Sequence, residues 1–152
     1  MASRGRKAST AELTTLNGEV CDSLYERLVL DDLTRRGVEY WFHPGPYEYH
    51  RPVRGGFCLD CDSNSVRKGA LYTPDLYLPG PQILIELKGG STTKESRGRL
   101  VDYCKTEGNV LYFMFRDNRP ILSGSKTTHR KWAERLGCIV HIGMTVPESW
   151  LE

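Results

Sequence analysis

Three charged residues stand at a spacing that could do phosphoryl chemistry. They lie in the stretch Tyr72-Thr73-Pro74-Asp75-Leu76-Tyr77-Leu78-Pro79-Gly80-Pro81-Gln82-Ile83-Leu84-Ile85-Glu86-Leu87-Lys88-Gly89-Gly90. Ile83 to Lys88 reads as a β-strand, apolar and β-branched with two charges at its end. Side chains alternate along a strand, so Ile83, Ile85 and Leu87 face one way and Leu84, Glu86 and Lys88 the other. Glu86 and Lys88 then stand about 6.6 Å apart on one face at the usual strand rise. Pro79-Gly80-Pro81 predicts a chain reversal, Pro restricting φ and Gly permitting the left-handed region. A hairpin with that turn returns Asp75 to the side of Glu86. Two carboxylates at one place offer hard oxygen ligands for Mg²⁺ or Mn²⁺, one or two ions, with the Leu87 carbonyl as a further donor. Lys88 supplies a compact cation to hold a nucleophile or a phosphate oxygen. The alternative is an exposed strand-end ion pair that contributes little.

Other elements must position this group. Asn17 is a candidate cap for a helix starting near Gly18 and ending at Gly37, with Val20, Leu24 and Leu28 beside Tyr25, Val29 and Leu33 as its buried stripe. Glu26 sits at the margin of that stripe. Val38 to Phe42 reads as a strand. His43-Pro44-Gly45-Pro46-Tyr47-Glu48-Tyr49-His50-Arg51-Pro52 follows, extended and proline-stiffened. Thr93 to Thr106 predicts a helix, with Leu100, Val101 and Cys104 inward and Lys94, Arg97 and Arg99 outward. Val110 to Phe115 is a nearly continuous apolar run, expected as a central strand. Lys126 to Leu136 predicts a basic helix burying Trp132 and Leu136, and Cys138 to Ile142 a last strand. Strand, helix, strand in succession points to a parallel crossover in an α/β fold, a mixed central β-sheet flanked by helices.

Pro74-Asp75 followed by Glu86-Leu87-Lys88 resembles the PD-(D/E)-x-K nuclease signature. More narrowly, Tyr72 to Pro79 with Glu86-Leu87-Lys88-Gly89 resembles phage endonuclease I, a family of Holliday-junction resolvases. Ser23-Leu24-Tyr25-Glu26 opening a helix, Ser125-Lys126-Thr127 preceding another, and Val146-Pro147-Glu148-Ser149-Trp150 agree in order and spacing, so the similarity spans residues 17–152. The resemblance implies a Mg²⁺-dependent endonuclease that resolves four-way junctions, with Glu26 as a third active-site carboxylate and metal ligand beside Asp75 and Glu86. It implies products bearing 5′-phosphate and 3′-hydroxyl, and a segment-swapped homodimer in which residues 43–52 cross to the second subunit. A simple surface loop is the other reading of 43–52. Residues 53–71 depart from the family, whose connection here is shorter.

Composition sets bounds on these readings. One domain is expected from 152 residues, with 39% apolar and 26% charged residues, no apolar run of membrane-span length and no signal peptide. The organisation expected is a flexible basic arm over 1–16 and a single nuclease domain over 17–152. Within that domain lie a helix and strand (17–42), a Pro-rich bridge (43–52), an inserted hairpin or loop (53–71) and a catalytic core (72–152). Net charge is only +2, but 116–135 carries six Lys and Arg against two acids, whereas 19–50 carries seven acids against three Arg. Such asymmetry fits carboxylates for metal beside basic flanks for phosphates. The DNA contacts expected are Arg4, Arg6 and Lys7 in the arm, and Arg67 and Lys68 in the insertion. Lys94, Arg97, Arg99, Arg116, Arg119, Lys126, His129, Arg130 and Lys131 extend the set along the core. His129 and His141 are not assigned catalysis. Five scattered cysteines argue against a disulfide framework and for a cytoplasmic protein, in the host cell if phage-encoded. Cys58-Leu59-Asp60-Cys61 supplies half a zinc site that His43 and His50 could complete; free thiols in a hairpin are the simpler reading. Branched DNA and a second copy are the expected partners, with neither membrane nor small-molecule cofactor. Another duplex-cutting or nicking nuclease of the superfamily, or a non-catalytic branched-DNA binding module, are the alternatives.

Overall fold

The apolar residues of Leu76–Leu78 and Ile83–Lys88 pair as an antiparallel hairpin, and this hairpin is the middle of the fold. A computed structural model describes residues 6–53, 67–105 and 109–152. In chain order the elements are α1 (Leu24–Arg35), β1 (Trp41–Phe42), β2 (Tyr47–Pro52), β3 (Arg67–Tyr72), β4 (Leu76–Leu78) and β5 (Ile83–Lys88). They continue with α2 (Lys94–Lys105), β6 (Tyr112–Phe115), α3 (His129–Arg135), β7 (Ile139–Ile142) and a 3₁₀ turn at Glu148–Trp150. A five-stranded sheet runs β1-β4-β5-β6-β7, and β2 with β3 forms a separate two-stranded ribbon. β1, β4 and β5 are antiparallel neighbours, whereas β5, β6 and β7 are parallel. The mixed sheet flanked by helices, and the crossover through α2, are as the sequence predicts.

Both faces of the sheet are covered. Ile83, Ile85, Leu87 and Met114 pack against Tyr25, Val29, Leu30 and Leu33 of α1 and against Val146. On the opposite face Phe113 and Phe115 join Leu100, Tyr103 and Cys104 of α2, Ala133 of α3, and Tyr49 and Tyr72 of the ribbon. The alternation in β6, Met114 to one side and Phe113 and Phe115 to the other, makes this strand central, as its apolar run predicts.

Four features differ from the sequence reading. The first helix begins at Leu24, capped by Ser23, whose Oγ accepts the Glu26 N–H at 3.2 Å. Asn17 instead donates to Thr34 and to the Tyr40 hydroxyl. With the helix phased from Ser23, Tyr25, Val29 and Leu33 face the sheet, while Val20, Leu24 and Leu28 are exposed at 55%, 46% and 42%. At the hairpin turn the left-handed backbone belongs to Gln82, at φ 59°, and Gly80 does not use it. Residues 47–52, within the 43–52 segment read as an extended bridge or a surface loop, form β2 and pair residue by residue with 67–72. Arg97 points inward from α2, at 7% exposure.

The N-terminal residues from Arg6 onward carry turns. Glu12 accepts the Ser9 N–H at 2.7 Å and the Arg6 guanidinium at 3.2 Å. Buried Asp31 then anchors this segment to α1, accepting Leu16 N–H at 2.8 Å and Arg27 Nε at 2.9 Å. Arg4, Cys58 and Cys61 lie outside the described residues, as does the side chain of Arg67. Among the described residues no helix is long and apolar enough to cross a membrane.

Candidate active site at the end of the β4–β5 hairpin

Strand register brings the carboxylates together. Leu76 pairs with Ile85, so Asp75, one residue earlier, falls opposite Glu86. Two backbone contacts hold Asp75 there. Its carbonyl accepts the His43 N–H at 2.9 Å, and its Oδ2 accepts the Leu87 N–H at 2.7 Å. The Lys88 carbonyl faces β6, where it accepts the Arg116 N–H at 3.1 Å. Successive residues of a strand address opposite edges, so the N–H and carbonyl of Leu87 both face the Asp75 side. Regular pairing with β4 has ended at Leu76, so the Leu87 carbonyl lies on the Asp75 edge of β5 beyond that pairing.

Glu86 is 5% exposed and held at both oxygens. Oε1 meets Lys88 Nζ at 2.8 Å, and Oε2 accepts the hydroxyl of Tyr72. Tyr72 ends β3, outside the main sheet, and its ring leans on Tyr103 of α2 with centroids 4.5 Å apart. The ribbon and α2 thus support the carboxylate from behind. Burial, and then the charge of Glu86, hold the Tyr72 hydroxyl protonated well above the usual tyrosine range. It is a fixed donor.

Burial first, and the Glu86 charge second, raise the Asp75 carboxyl well above the usual range; Lys88 and the Leu87 N–H oppose the rise only in part. Burial works against the charge of Lys88, but Glu86 and Asp75 outweigh it and leave the ammonium above its ordinary value. Beside Glu86 and Lys88 a second ionised carboxylate is disfavoured, and a divalent cation would offset the repulsion that raises Asp75. The donor set of Asp75, Glu86 and the Leu87 carbonyl is hard oxygen throughout, and so suits Mg²⁺ or Mn²⁺ in chemistry. Among the described residues, no three His, Cys, Asp or Glu side chains group closely enough to hold a metal by themselves.

Glu26 approaches from the other side of the sheet. α1 presses on the end of β5 so closely that a Cβ on Gly89 would stand 2.8 Å from the Tyr25 Cβ. Glu26 is 6% exposed and its Oε2 accepts the Asp22 N–H at 2.8 Å. With Ser23 this is a capping box, whose S-x-x-E signature was legible in Ser23-Leu24-Tyr25-Glu26. Burial is the main cause that raises the Glu26 carboxyl above its ordinary value. The charge of Glu26 reaches Asp75 and Lys88, more weakly than that of Glu86. Glu26 is therefore a structural cap that also adds negative charge to the site.

The expected DNA contacts divide into two groups. Lys7, Lys68, Lys94, Arg99, Arg116, Lys126 and Lys131 are exposed, as is Arg6, paired with Glu12. Arg119 is half-buried and grips Asp117 at 2.6 and 2.8 Å; Arg130 is also half-buried. Arg97 and His129 are spent inside the fold. His129, 1% exposed, hydrogen-bonds through Nδ1 to the Arg119 carbonyl at 3.0 Å and through Nε2 to Thr92 Oγ1 at 2.9 Å. Only a donor at Nδ1 suits a carbonyl, so Nε2 accepts from the threonine hydroxyl. Arg97 donates to the same hydroxyl at 2.9 Å and to the Thr92 carbonyl at 2.7 Å. This network pins the loop that leaves Lys88, and burial lowers the His129 pKa below its ordinary value. Neither role was visible in the sequence, where a histidine and an arginine in basic surroundings resemble phosphate ligands.

Of the suggested zinc ligands, His43 stacks on Phe42 at 3.8 Å and His50 lies on the exposed side of β2. Comparison with protein-family models, with curated proteins and with solved structures finds no match for this chain.

Proposed function

We propose that this protein is a divalent-metal-dependent endonuclease of branched DNA, four-way junctions above all. The observation that carries the reading is the convergence of Asp75, Glu86 and Lys88 at one end of one hairpin, with Glu86 clamped by Lys88 and Tyr72. Asp75, Glu86 and the Leu87 carbonyl would hold Mg²⁺ or Mn²⁺. When bound, such an ion supplies polarisation of a phosphoryl oxygen and a bound water of lowered pKa. Lys88 keeps its charge beside Glu86, so it can donate to the attacking oxygen or to a phosphate oxygen as charge develops. Tyr72 fixes the rotamer of Glu86 without competing for a proton. Hydrolysis would leave 5′-phosphate and 3′-hydroxyl ends. Glu26 adds its charge from within the same chain, and a homodimer would carry two such sites for the two strands of a junction.

Exposed Lys94, Arg99, Lys126 and Lys131 offer contacts to phosphates, which position DNA without reading its bases. Branch shape is therefore the expected selector. A second reading, a non-catalytic branched-DNA binder, is favoured by one observation: both Glu86 oxygens already have protein partners. The two separate on cleavage of a four-way junction against matched linear duplex and single strand, with Mg²⁺, Ca²⁺ or EDTA. Mg²⁺-dependent cutting of the junction supports the nuclease. Tight junction binding with no product under any condition supports the binder, and a single cut in linear duplex, with the junction no better, points to a site-specific enzyme.

A further inference from the structure

A pocket of about 340 Å³ opens beside the end of β5, where Gly89 and Gly90 follow Lys88. Its lining combines the apolar side chains of Leu13, Leu24 and Tyr25 with two cations, Lys7 and Arg116. Asp22 is the acid there, so the cations outnumber it. Arg116 keeps 47% of its side chain exposed and touches Asp117 only at 3.5 Å, since Arg119 holds that carboxylate more tightly. Gly90 has open space before it: a Cβ there would meet nothing within 4 Å, and its backbone is outside the left-handed region that favours glycine.

The combination is chemically specific. Cations that track a phosphodiester beside apolar surface that takes a base are the recurrent parts of single-strand binding sites. A volume near the lower end of the small-ligand range admits one unstacked nucleotide and excludes a duplex. Gly90 is two residues beyond Lys88, at most about 7 Å of extended chain. One strand of DNA advances about 3.4 Å per nucleotide along its axis, so the pocket lies one or two nucleotides from Lys88.

We propose that this pocket takes a single unpaired deoxynucleotide of the bound DNA strand, its phosphate on Lys7 and Arg116 and its base against Leu13 and Leu24, with buried Tyr25 forming the floor. The assignment rests on the nuclease reading, and it names what that site selects: a branch, where a nucleotide is free to leave the stack next to the cut.

The test is a titration of isotope-labelled protein, without divalent metal, with a deoxynucleoside 5′-monophosphate, the matching deoxynucleoside, inorganic phosphate and a single-stranded pentanucleotide. The amides of Gly89, Gly90 and Leu24 are followed. The monophosphate is expected to shift them saturably, at least tenfold tighter than nucleoside or phosphate, and the pentanucleotide tighter again. Gly90→Leu, which fills the space, should abolish the shifts. Arg116→Gln, at an exposed position that keeps the fold, should weaken binding about fivefold or more. Glu86→Gln should leave nucleotide binding unaltered, which separates this pocket from the carboxylate site. If junction cleavage proves absent while these shifts appear, the nuclease reading fails and the pocket stands as a nucleotide site. Shifts that are absent, or untouched by both Gly90→Leu and Arg116→Gln, overturn the proposal. A pentanucleotide binding no tighter than the monophosphate overturns its assignment to a DNA strand.

Discussion

Tyr72 donates its hydroxyl to Glu86 Oε2 from a strand that does not belong to the sheet carrying Glu86. The candidate site is thus braced across two sheets, with Tyr103 of α2 behind the donor. Tyr72→Phe keeps the ring packing and deletes only the hydrogen bond. Hydrogen bonds to charged groups contribute about 1.5–3 kcal/mol to stability, so the thermal midpoint should fall by several degrees, and junction cleavage by about tenfold or more as Glu86 loses its fixed position. Cleavage rates at saturating Mg²⁺ and a melting curve on the same preparation decide this; a rate equal to wild type would remove Tyr72 from the site.

Glu86→Gln and Lys88→Met should each retain junction binding and lose cleavage by about 10²–10³-fold, the range expected when a preorganised charge at a transition state is removed. Gel-shift and single-turnover assays separate the two quantities. Unchanged cutting by Glu86→Gln would end the nuclease reading.

Glu26 lies on the helix that packs against β5 of its own chain, and β2 pairs with its own β3. Each site is therefore expected to be complete within one chain. Provided Glu26→Gln itself proves inactive, mixing it with inactive Glu86→Gln protein, after unfolding and refolding together, should restore no cleavage. Exchange of the helix between subunits would instead give mixed dimers with one intact site, about a quarter of all sites in a symmetric pair. Glutamine retains the capping box, so the first variant should remain folded.

His129 predicts a pH dependence of stability. Its folded-state pKa is lowered, so the unfolded chain takes up a proton first as pH falls. The stabilisation from neutral, buried His129 is complete above about pH 6.5 and is lost as pH falls below that value through the folded pKa. His141 is lowered too, by burial first and then by Arg130, and contributes in the same direction. Urea midpoints between pH 5 and 8 should show a shallower acid slope in His129→Gln than in wild type. Equal slopes would mean that the imidazole is not held neutral.

Arg97 and Lys131 should behave oppositely although both were expected on phosphates. Arg97→Gln loses bonds to Thr92 and Ile121 inside the fold and should lower the melting temperature while leaving the salt slope of DNA binding unchanged. Lys131→Gln should leave melting unaltered and, if Lys131 contacts one phosphate, reduce the slope of log K against log salt by about 0.9. Filter binding at several salt concentrations distinguishes them.

Much of this protein could be read before it was folded. The alternation in Ile83 to Lys88, the proline-bounded turn and the Pro74-Asp75 pair determine a hairpin with its charges at one end, because strand geometry and turn chemistry act within a few residues. The apolar run ending at Phe115 likewise determines a central strand. The start of α1 was also local, in the S-x-x-E box at Ser23, but the polar Asn17 offered a competing cap. What only the tertiary structure decided was which polar groups are consumed. His129 and Arg97 look like phosphate ligands from their neighbours in sequence, yet packing of α2 and α3 turns them inward onto Thr92. Nothing local in the sequence singles out Tyr72, yet the ribbon packs on α2 and aims its hydroxyl at Glu86. Sequence spacing fixes which residues share a strand face; the fate of a long side chain depends on what a distant element places opposite it.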